Sequence, residues 1–415
     1  MGFMVSQKCR FCSQELNHSF INLGVSPLAN DYLAPHQLNL AEKFYPLHTY
    51  VCSNCWLVQL EEFEPPSKIF GDDYAYFSSY SDSWLRHAKT YTEKMIARFS
   101  LNPAHQVIEI ASNDGYLLQF FVENNIPVLG VEPVATIARV AEAKGIPTLV
   151  QFFGVATAEA MVAAGQQADL LLGNNVLAHV PDLNDFVAGL KLVLKPAGVL
   201  TLEFPHLLQL IQQSQFDTIY HEHFCYFSLT AVEKIFATHG LMLFDIEELP
   251  THGGSLRIYA QHDHIAPYPL SDRVHQLQEK ERQAGLDRLE TYTQFNQQAQ
   301  KLKYQLLKLL IDLKSQGQQI VGYGAAAKGN TLLNYCGIGT DFLDYVCDRN
   351  PHKQEKFLPG THIPIYPPEK LQESRPDYVL ILPWNIKEEI MEQTSFVRNW
   401  GGKFIVPIPQ TTVIP

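Results

Sequence analysis

The sequence predicts an α/β protein built on a doubly wound parallel sheet, with a small lobe in front of it and a second α/β unit behind. Three observations carry this. From Val107 onward, strand-sized apolar runs alternate with stretches that are apolar at helical spacing. Two strand-to-helix junctions, at 111–115 and 322–327, are turns of small and polar residues. Ahead of both, two Cys-x-x-Cys pairs mark a lobe with little core of its own.

Composition sets the class. The 415 residues allow two to four domains, and 46% hydrophobic with 18% charged residues is ordinary for a globular chain. The longest apolar runs are strand-sized, so no transmembrane helix and no membrane partner are expected. Residues 1–10 lack the basic-then-apolar layout of a signal peptide. A formal net charge of −12 without any Lys/Arg run argues against a nucleic-acid partner, and a small anionic ligand would need local donors. Seven cysteines, four of them in two close pairs, fit a reducing cytoplasm and a metal better than disulfides.

Cys9-Arg-Phe-Cys12 and Cys52-Ser-Asn-Cys55 each present two thiolates to one tetrahedral Zn²⁺. Four thiolates close the coordination sphere, so a structural metal is expected, with no catalysis at it. Pro65-Pro66 ends this lobe, drawn at 1–70. The segment 72–80 is dense in aromatics and hydroxyls. Its Tyr74, Tyr76 and Tyr80 either line a sugar-sized pocket or form the seam between two lobes. A helix over 84–99 follows.

The central unit, drawn at 71–250, begins with the buried strand 107–110 and the turn Ala111-Ser112-Asn113-Asp114-Gly115. Such a turn lets backbone N–H groups approach a ligand where a helix dipole favours negative charge. Strands at 107–110, 128–131, 170–173 and 199–204, with helices near 117–124, 136–143 and 185–194, place the ligand beyond the strand C-termini. Glu132 ends the second strand, where a carboxylate can accept both ribose hydroxyls of an adenosine, or else is a solvated loop acid. The first turn lacks Gly-x-Gly-x-x-Gly, the fingerprint for a pyrophosphate.

A helix and turn, Leu194-Lys-Pro-Ala-Gly198, precede the strand 199–204. This layout resembles the region before the fifth strand of class I S-adenosylmethionine methyltransferases. Gly173-Asn174-Asn175-Val-Leu-Ala-His179 resembles their fourth-strand loop, beside the methionine moiety. The cofactor residues implied are Glu109, Ala111, Ser112, Asn113, Gly115, Glu132, Asn174 and Asn175. Ala111 and Asn113 depart from the glycines common at those positions.

The run Tyr220-His221-Glu222-His223 between aromatics is expensive to bury without a purpose. The metalloprotease pattern fails because Cys225 stands where a second histidine is required. General acid–base work is the functional reading, and a surface helix start with incidental histidines is the plain one. Further on, the Gly-Gly turn at 251–254 either helps bind substrate or simply opens the last unit, drawn at 251–415. Leu289, Tyr292, Phe295, Ala299, Leu302, Leu306, Leu309 and Leu313 form an amphipathic packing stripe. The turn Gly322-Tyr-Gly324-Ala-Ala-Ala327 matches the start of a dinucleotide fingerprint, Lys328 and Asn330 add donors, and Asp348 ends the next strand.

Taken together, the Cys pairs, Glu-Ile-Ala-Ser-Asn-Asp-Gly, Asn-Asn-Val-Leu-Ala-His-Val, Tyr-His-Glu-His-Phe-Cys-Tyr-Phe-Ser and Gly-Tyr-Gly-Ala-Ala-Ala-Lys-Gly-Asn resemble the sugar C-methyltransferases of deoxysugar biosynthesis, in the same order over nearly the whole chain. The resemblance implies a zinc-binding lobe, a class I methyltransferase domain and a C-terminal Rossmann-like domain that binds the nucleotide. It implies methylation of a ring carbon next to the ketone of a nucleotide-linked 4-keto-6-deoxysugar. By that likeness His223 is the general base and Glu222 orients it or shares in the proton transfer. Tyr220 and His179 meet the enolate oxygen, and Tyr76 (or Tyr74) closes the pocket. Gly322, Gly324, Lys328, Asn330 and Asp348 are then the nucleotide-sugar contacts. Two rival readings are an NAD-dependent oxidoreductase using the 322–327 turn, and a non-catalytic module in which the zinc lobe recruits a partner.

Overall fold

The computed structural model describes residues 7–69, 71 and 77–415. Tyr74 and Tyr76 lie outside the described residues.

The N-terminal lobe is a small antiparallel sheet of β1 (His18–Ser26), β2 (Tyr45–Val51) and β3 (Val58–Leu60). Its fourth strand, Cys225–Tyr226, comes from the central unit and pairs antiparallel with β3. The lobe is therefore sewn to the stretch that carries the His-Glu-His run. Its apolar side chains Phe20, Ile21 and Leu47 belong to one continuous buried cluster with the C-terminal unit.

The central sheet uses β4 (Val107–Ile110), β5 (Val128–Val131), β6 (Thr148–Leu149), β7 (Ala168–Asn174) and β8 (Leu194–Pro205). After β9 (Cys225–Tyr226) come β10 (Leu241–Leu249) and β11 (Ser255–His262). The order is β10-β11-β8-β7-β4-β5-β6. β4 to β8 are parallel, whereas β11 runs antiparallel to both β8 and β10. An all-parallel dinucleotide sheet has no reversed strand at that place. One reversed strand near the edge is the class I methyltransferase arrangement. The four strands read from sequence are parallel as expected, and the β10–β11 hairpin adds one reversed strand to them. Periodicity does not report strand direction, and the sequence reading assigns neither strand of the β10–β11 hairpin to the sheet. The division after residue 250 falls in the turn of that hairpin.

The segment 194–198 is read from sequence as helix end and turn, yet β8 starts at Leu194, opposite Ala168. The register shifts between Ala168 and Leu170, and a Cβ on Gly198 would meet the Ala168 carbonyl at 2.8 Å. Pro196-Ala-Gly198 is accommodated by an irregularity in the strand.

Helix α1 (Asp82–Phe99) leads into this sheet, capped by the Ser81 hydroxyl, which accepts from the Trp84 N–H. Helix α2 (Leu118–Glu123) follows the first turn. From Phe295 onward the packing stripe lies on α3 (Phe295–Ser315), while Leu289 and Tyr292 sit on a separate short helix before it, and the Phe295 ring stacks on Phe20 of the zinc lobe with centroids 4.7 Å apart. Leu310, not Leu309, is the buried member of that turn. The C-terminal sheet has β12 (Ile320–Tyr323), β13 (Val346–Cys347), β14 (Ile365–Tyr366), β15 (Tyr378–Ile381), β16 (Lys403–Val406) and β17 (Thr412–Ile414). Its order is β14-β13-β12-β15-β16-β17, with β17 alone antiparallel, and helix α4 (Ala327–Cys336) follows the glycine turn. Among the described residues no helix is long and apolar enough to cross a membrane.

Candidate active site

The four sulfurs of Cys9, Cys12, Cys52 and Cys55 lie within 4.8 Å of one another, although the two pairs are forty residues apart in sequence. Cys9–Cys55 and Cys12–Cys52 are both separated by 3.5 Å. Thiolates about 2.3 Å from a tetrahedral zinc stand roughly 3.8 Å from each other, so the cluster fits Zn²⁺. The Gln59 amide donates to Cys9 Sγ at 3.2 Å. This is a structural zinc-binding cluster of four cysteines.

The turn after β4 is shaped by three residues with positive φ: Ala111 at 57°, Asn113 at 50° and Gly115 at 74°. Two non-glycine residues thus take conformations for which glycine is the usual choice, and asparagine tolerates them best. Asn113 is tied down on both sides. Its N–H donates to Glu132 Oε2 at 3.1 Å, and its Oδ1 accepts from the Ser78 N–H at 2.9 Å. Glu132 Oε1 accepts from the Val134 N–H, so this carboxylate joins the ends of β4 and β5 and keeps lone pairs for further donors. Burial raises its pKa against those two N–H contacts.

Asn174 is nearly buried and donates to the Tyr116 hydroxyl at 3.4 Å. Asn175 has φ 55°, and its Oδ1 is buried with no partner among the described residues. A strained turn after β4, a buried carboxylate at the end of β5 and an orphaned amide oxygen after β7 fit an adenosine bearing an amino acid, and the cradle is an S-adenosylmethionine-binding fold. Glu109 and Ser112 are both 0% exposed. Glu109 sits beneath the turn with its pKa pushed well up by burial, while Ser112 fills the space a Cβ on Gly130 would need. They support the cradle from below.

Gly115 yields a direct prediction. A Cβ there would come within 2.3 Å of Ile146 Cδ1, which is itself buried. Positive φ adds about 1–2 kcal/mol for an L-residue. Gly115→Ala is expected to lower the melting temperature and weaken cofactor affinity about tenfold or more, as calorimetry would show. Unchanged affinity would remove this turn from the cofactor site.

The His-Glu-His run is held by every part of the molecule. The Phe224 N–H donates to the Ala178 carbonyl at 2.7 Å and the Leu60 N–H to the Phe224 carbonyl at 2.9 Å. Thr331 Oγ1, on α4, donates to the Ile219 carbonyl at 3.1 Å. His179 and His223 meet edge to face with ring centroids 4.8 Å apart, and Tyr220 lies on His223 at 3.9 Å.

Each of these two rings has Nδ1 on a backbone carbonyl, His223 on Thr218 and His179 on Glu222, both at 2.8 Å. A carbonyl only accepts, so Nδ1 carries the proton and Nε2 is the basic nitrogen. Burial, then the neighbouring His179, holds His223 well below the usual imidazole value, and burial brings His179 to about 4. Both are neutral at physiological pH.

Thr218 provides the orienting acceptor, while the Glu222 carboxylate accepts from Asn30 Nδ2 of the zinc lobe at 2.6 Å. His221 turns away to the Pro46 carbonyl and packs on Tyr45 and Phe63. Thr218 escaped the sequence reading because its contribution is a backbone carbonyl. Asn30 escaped it because nothing near it marks a site.

In the C-terminal turn, Ala325 is bound on both sides by groups of the chain itself. Asp348 Oδ2 accepts from the Ala325 N–H at 2.7 Å, and the Ala325 carbonyl accepts from Tyr32 and Lys353 at 2.6 and 2.8 Å. One N–H of this turn, that of Ala325, is thus engaged by a carboxylate of the chain itself. Gly322 and Gly324 allow close packing: a Cβ would strike Val346 or Pro383. Asn330 is 1% exposed and accepts from Asn334. Lys328 is partly buried. Its Nζ donates to Asn385 Oδ1 at 2.7 Å and lies 5.0 Å from the Trp384 ring centroid, and its charge helps depress His223.

Comparison with known proteins agrees with this division of labour. Residues 9–70 match a family described as a zinc binding domain, 84–245 a methyltransferase domain, and 250–409 the C-methyltransferase C-terminal domain. The chain is 34% identical over 408 residues to the C-methyltransferase NovU of Streptomyces niveus, covering 98% of this chain and 96% of that one. A ubiquinone biosynthesis O-methyltransferase of Brucella ovis is 26% identical over 116 residues, 26% of this chain and 47% of that protein. The S-adenosylmethionine complex of magnesium protoporphyrin IX methyltransferase from Synechocystis aligns with 47% of this chain and 88% of its own, at 15% identity and a TM-score of 0.34. Full-length agreement with NovU, on top of the zinc cluster and the cofactor cradle, means that the chain belongs to the C-methyltransferase family and is an S-adenosylmethionine-dependent enzyme.

Proposed function

We propose that the enzyme methylates a nucleotide-linked 4-keto-6-deoxysugar at a carbon next to the ketone, with C-3 favoured over C-5. The observation that carries the reading is the neutral His223, its Nδ1 fixed on Thr218, at the meeting point of the zinc lobe, the fourth-strand loop and α4.

A carbon beside a ketone becomes nucleophilic only after losing a proton. His223 Nε2 accepts that proton, and the Thr218 carbonyl stabilises the imidazolium through Nδ1. Tyr220 and His179 stand beside His223 as polar contacts for the enolate oxygen. The bound cofactor, held by the turn 111–115, Glu132, Asn174 and Asn175, supplies an electrophilic methyl group. Lys328 and the C-terminal unit take the nucleotide end, with Tyr76 or Tyr74 proposed to close the other side. The decisive experiment incubates the enzyme with methyl-labelled cofactor and a panel of nucleotide 4-keto-6-deoxysugars. Label in a ring C-methyl supports the reading, and label on oxygen or none at all overturns it.

The pH profile offers a second check. A base must be unprotonated to act, and the pKa of His223 is depressed, so protonation sets in only below the usual imidazole range. The acid limb of kcat/KM is expected below about pH 6.5. A limb above about pH 7 would point to a different base.

A further inference from the structure

The turn Thr251–Gly253 holds a third histidine whose circumstances differ from those of His179 and His223. His252 has φ 54° and ψ 21°, a left-handed conformation in a turn where the next two residues are glycines. The turn is clamped from several sides. Thr251 Oγ1 donates to Glu203 Oε1 at 2.9 Å, and Gln215 Nε2 donates to the Gly253 carbonyl at 2.7 Å. A Cβ on Gly253 would lie 2.5 Å from the Trp384 ring, and the His252 ring meets Trp84 edge-on at 5.0 Å. Elements before, within and after the central sheet thus hold a strained non-glycine residue in place. Strain of this kind persists where the surrounding structure over-determines it, often at functional sites.

The tautomer follows from the surroundings. His252 Nδ1 is buried and has no hydrogen-bond partner among the described residues. A buried N–H without an acceptor is costly, so the proton belongs on Nε2, the reverse of His179 and His223. Trp384 links the turn to Lys328: its ring lies 5.0 Å from Lys328 Nζ and 2.5 Å from where a Cβ on Gly253 would stand, and Lys328 contributes to keeping His252 neutral.

We propose that His252 is a substrate-binding residue whose Nε2–H, beside Lys328, donates a hydrogen bond to an anionic oxygen of the substrate. Two oxygens of that chemistry are available, the enolate and the diphosphate. This extends and rests on the function proposed above, and the test separates the two.

His252→Gly removes the donor and suits the backbone, so its melting temperature is expected to equal or exceed that of the parent enzyme. If the oxygen is the enolate, kcat falls at least about tenfold with KM and nucleoside diphosphate affinity held. If it is the diphosphate, the Kd for a nucleoside diphosphate such as dTDP or UDP, measured by calorimetry, rises by a similar factor. His252→Gln, which returns an N–H donor, is expected to recover part of either loss. The proposal is overturned if His252→Gly keeps kcat and that Kd within about twofold of the parent. It is also overturned if the variant melts lower, because the histidine would then be structural. Should the parent enzyme methylate no 4-keto sugar, the function reading fails and the diphosphate Kd alone decides for His252.

Discussion

His223→Asn is expected to lower methyl transfer by about 10²–10⁴-fold while leaving cofactor affinity unchanged. The asparagine amide can still reach a backbone carbonyl but has no basic nitrogen. The ring it replaces is only partly exposed and makes one side-chain hydrogen bond to Thr218, so the loss falls on chemistry more than on folding. Initial rates with labelled cofactor, alongside calorimetric titration of S-adenosylmethionine, separate the two effects. The cofactor cradle sits at the ends of β4, β5 and β7, and among the described residues it takes no hydrogen bond from His223. Near-normal turnover would refute the assignment. Equal losses in turnover and cofactor affinity would show a distorted site.

Removing the zinc is expected to abolish activity and unfold the N-terminal lobe. Structural zinc in small domains contributes on the order of 10–16 kcal/mol of apparent binding energy, all of which is lost on chelation. The damage reaches the active site because this lobe supplies groups to it. Asn30 holds Glu222, Tyr32 holds the Ala325 carbonyl, and β3 pairs with β9 two residues beyond His223. Cys52→Ser breaks the cluster at a fully buried position. Its metal content, melting curve and turnover should fall together. A metal-free protein that keeps full turnover would mean that the lobe is a passenger.

Much of this was legible in the sequence wherever a local pattern has one physical cause. Cys pairs at matched spacing named the metal, and the buried run 107–110 with its small-residue turn named the cofactor end of the sheet. Ala111 and Asn113 looked like departures from the glycine pattern, yet both take the left-handed backbone that glycine would. What failed was information that is not local. The reversed strand β11, the irregularity at Pro196-Ala-Gly198 and the contact of Asp348 with the Ala325 N–H all depend on what lies across from a residue. The 322–327 turn has the fingerprint of a phosphate cradle, and residue type does not reveal that Asp348 accepts from one of its N–H groups, that of Ala325. Thr218 and His252 show the same limit, since a backbone carbonyl and a ring tautomer leave no trace in residue type.

The central claim is that His223 generates the sugar carbanion, and proton exchange measures that step apart from methyl transfer. A nucleotide 4-keto-6-deoxysugar is incubated in D₂O with the enzyme and S-adenosylhomocysteine, and deuterium entering at the carbon next to the ketone is followed by NMR. The parent enzyme should exchange that proton and His223→Asn should not. Exchange by His223→Asn at the parent's rate would contradict the account.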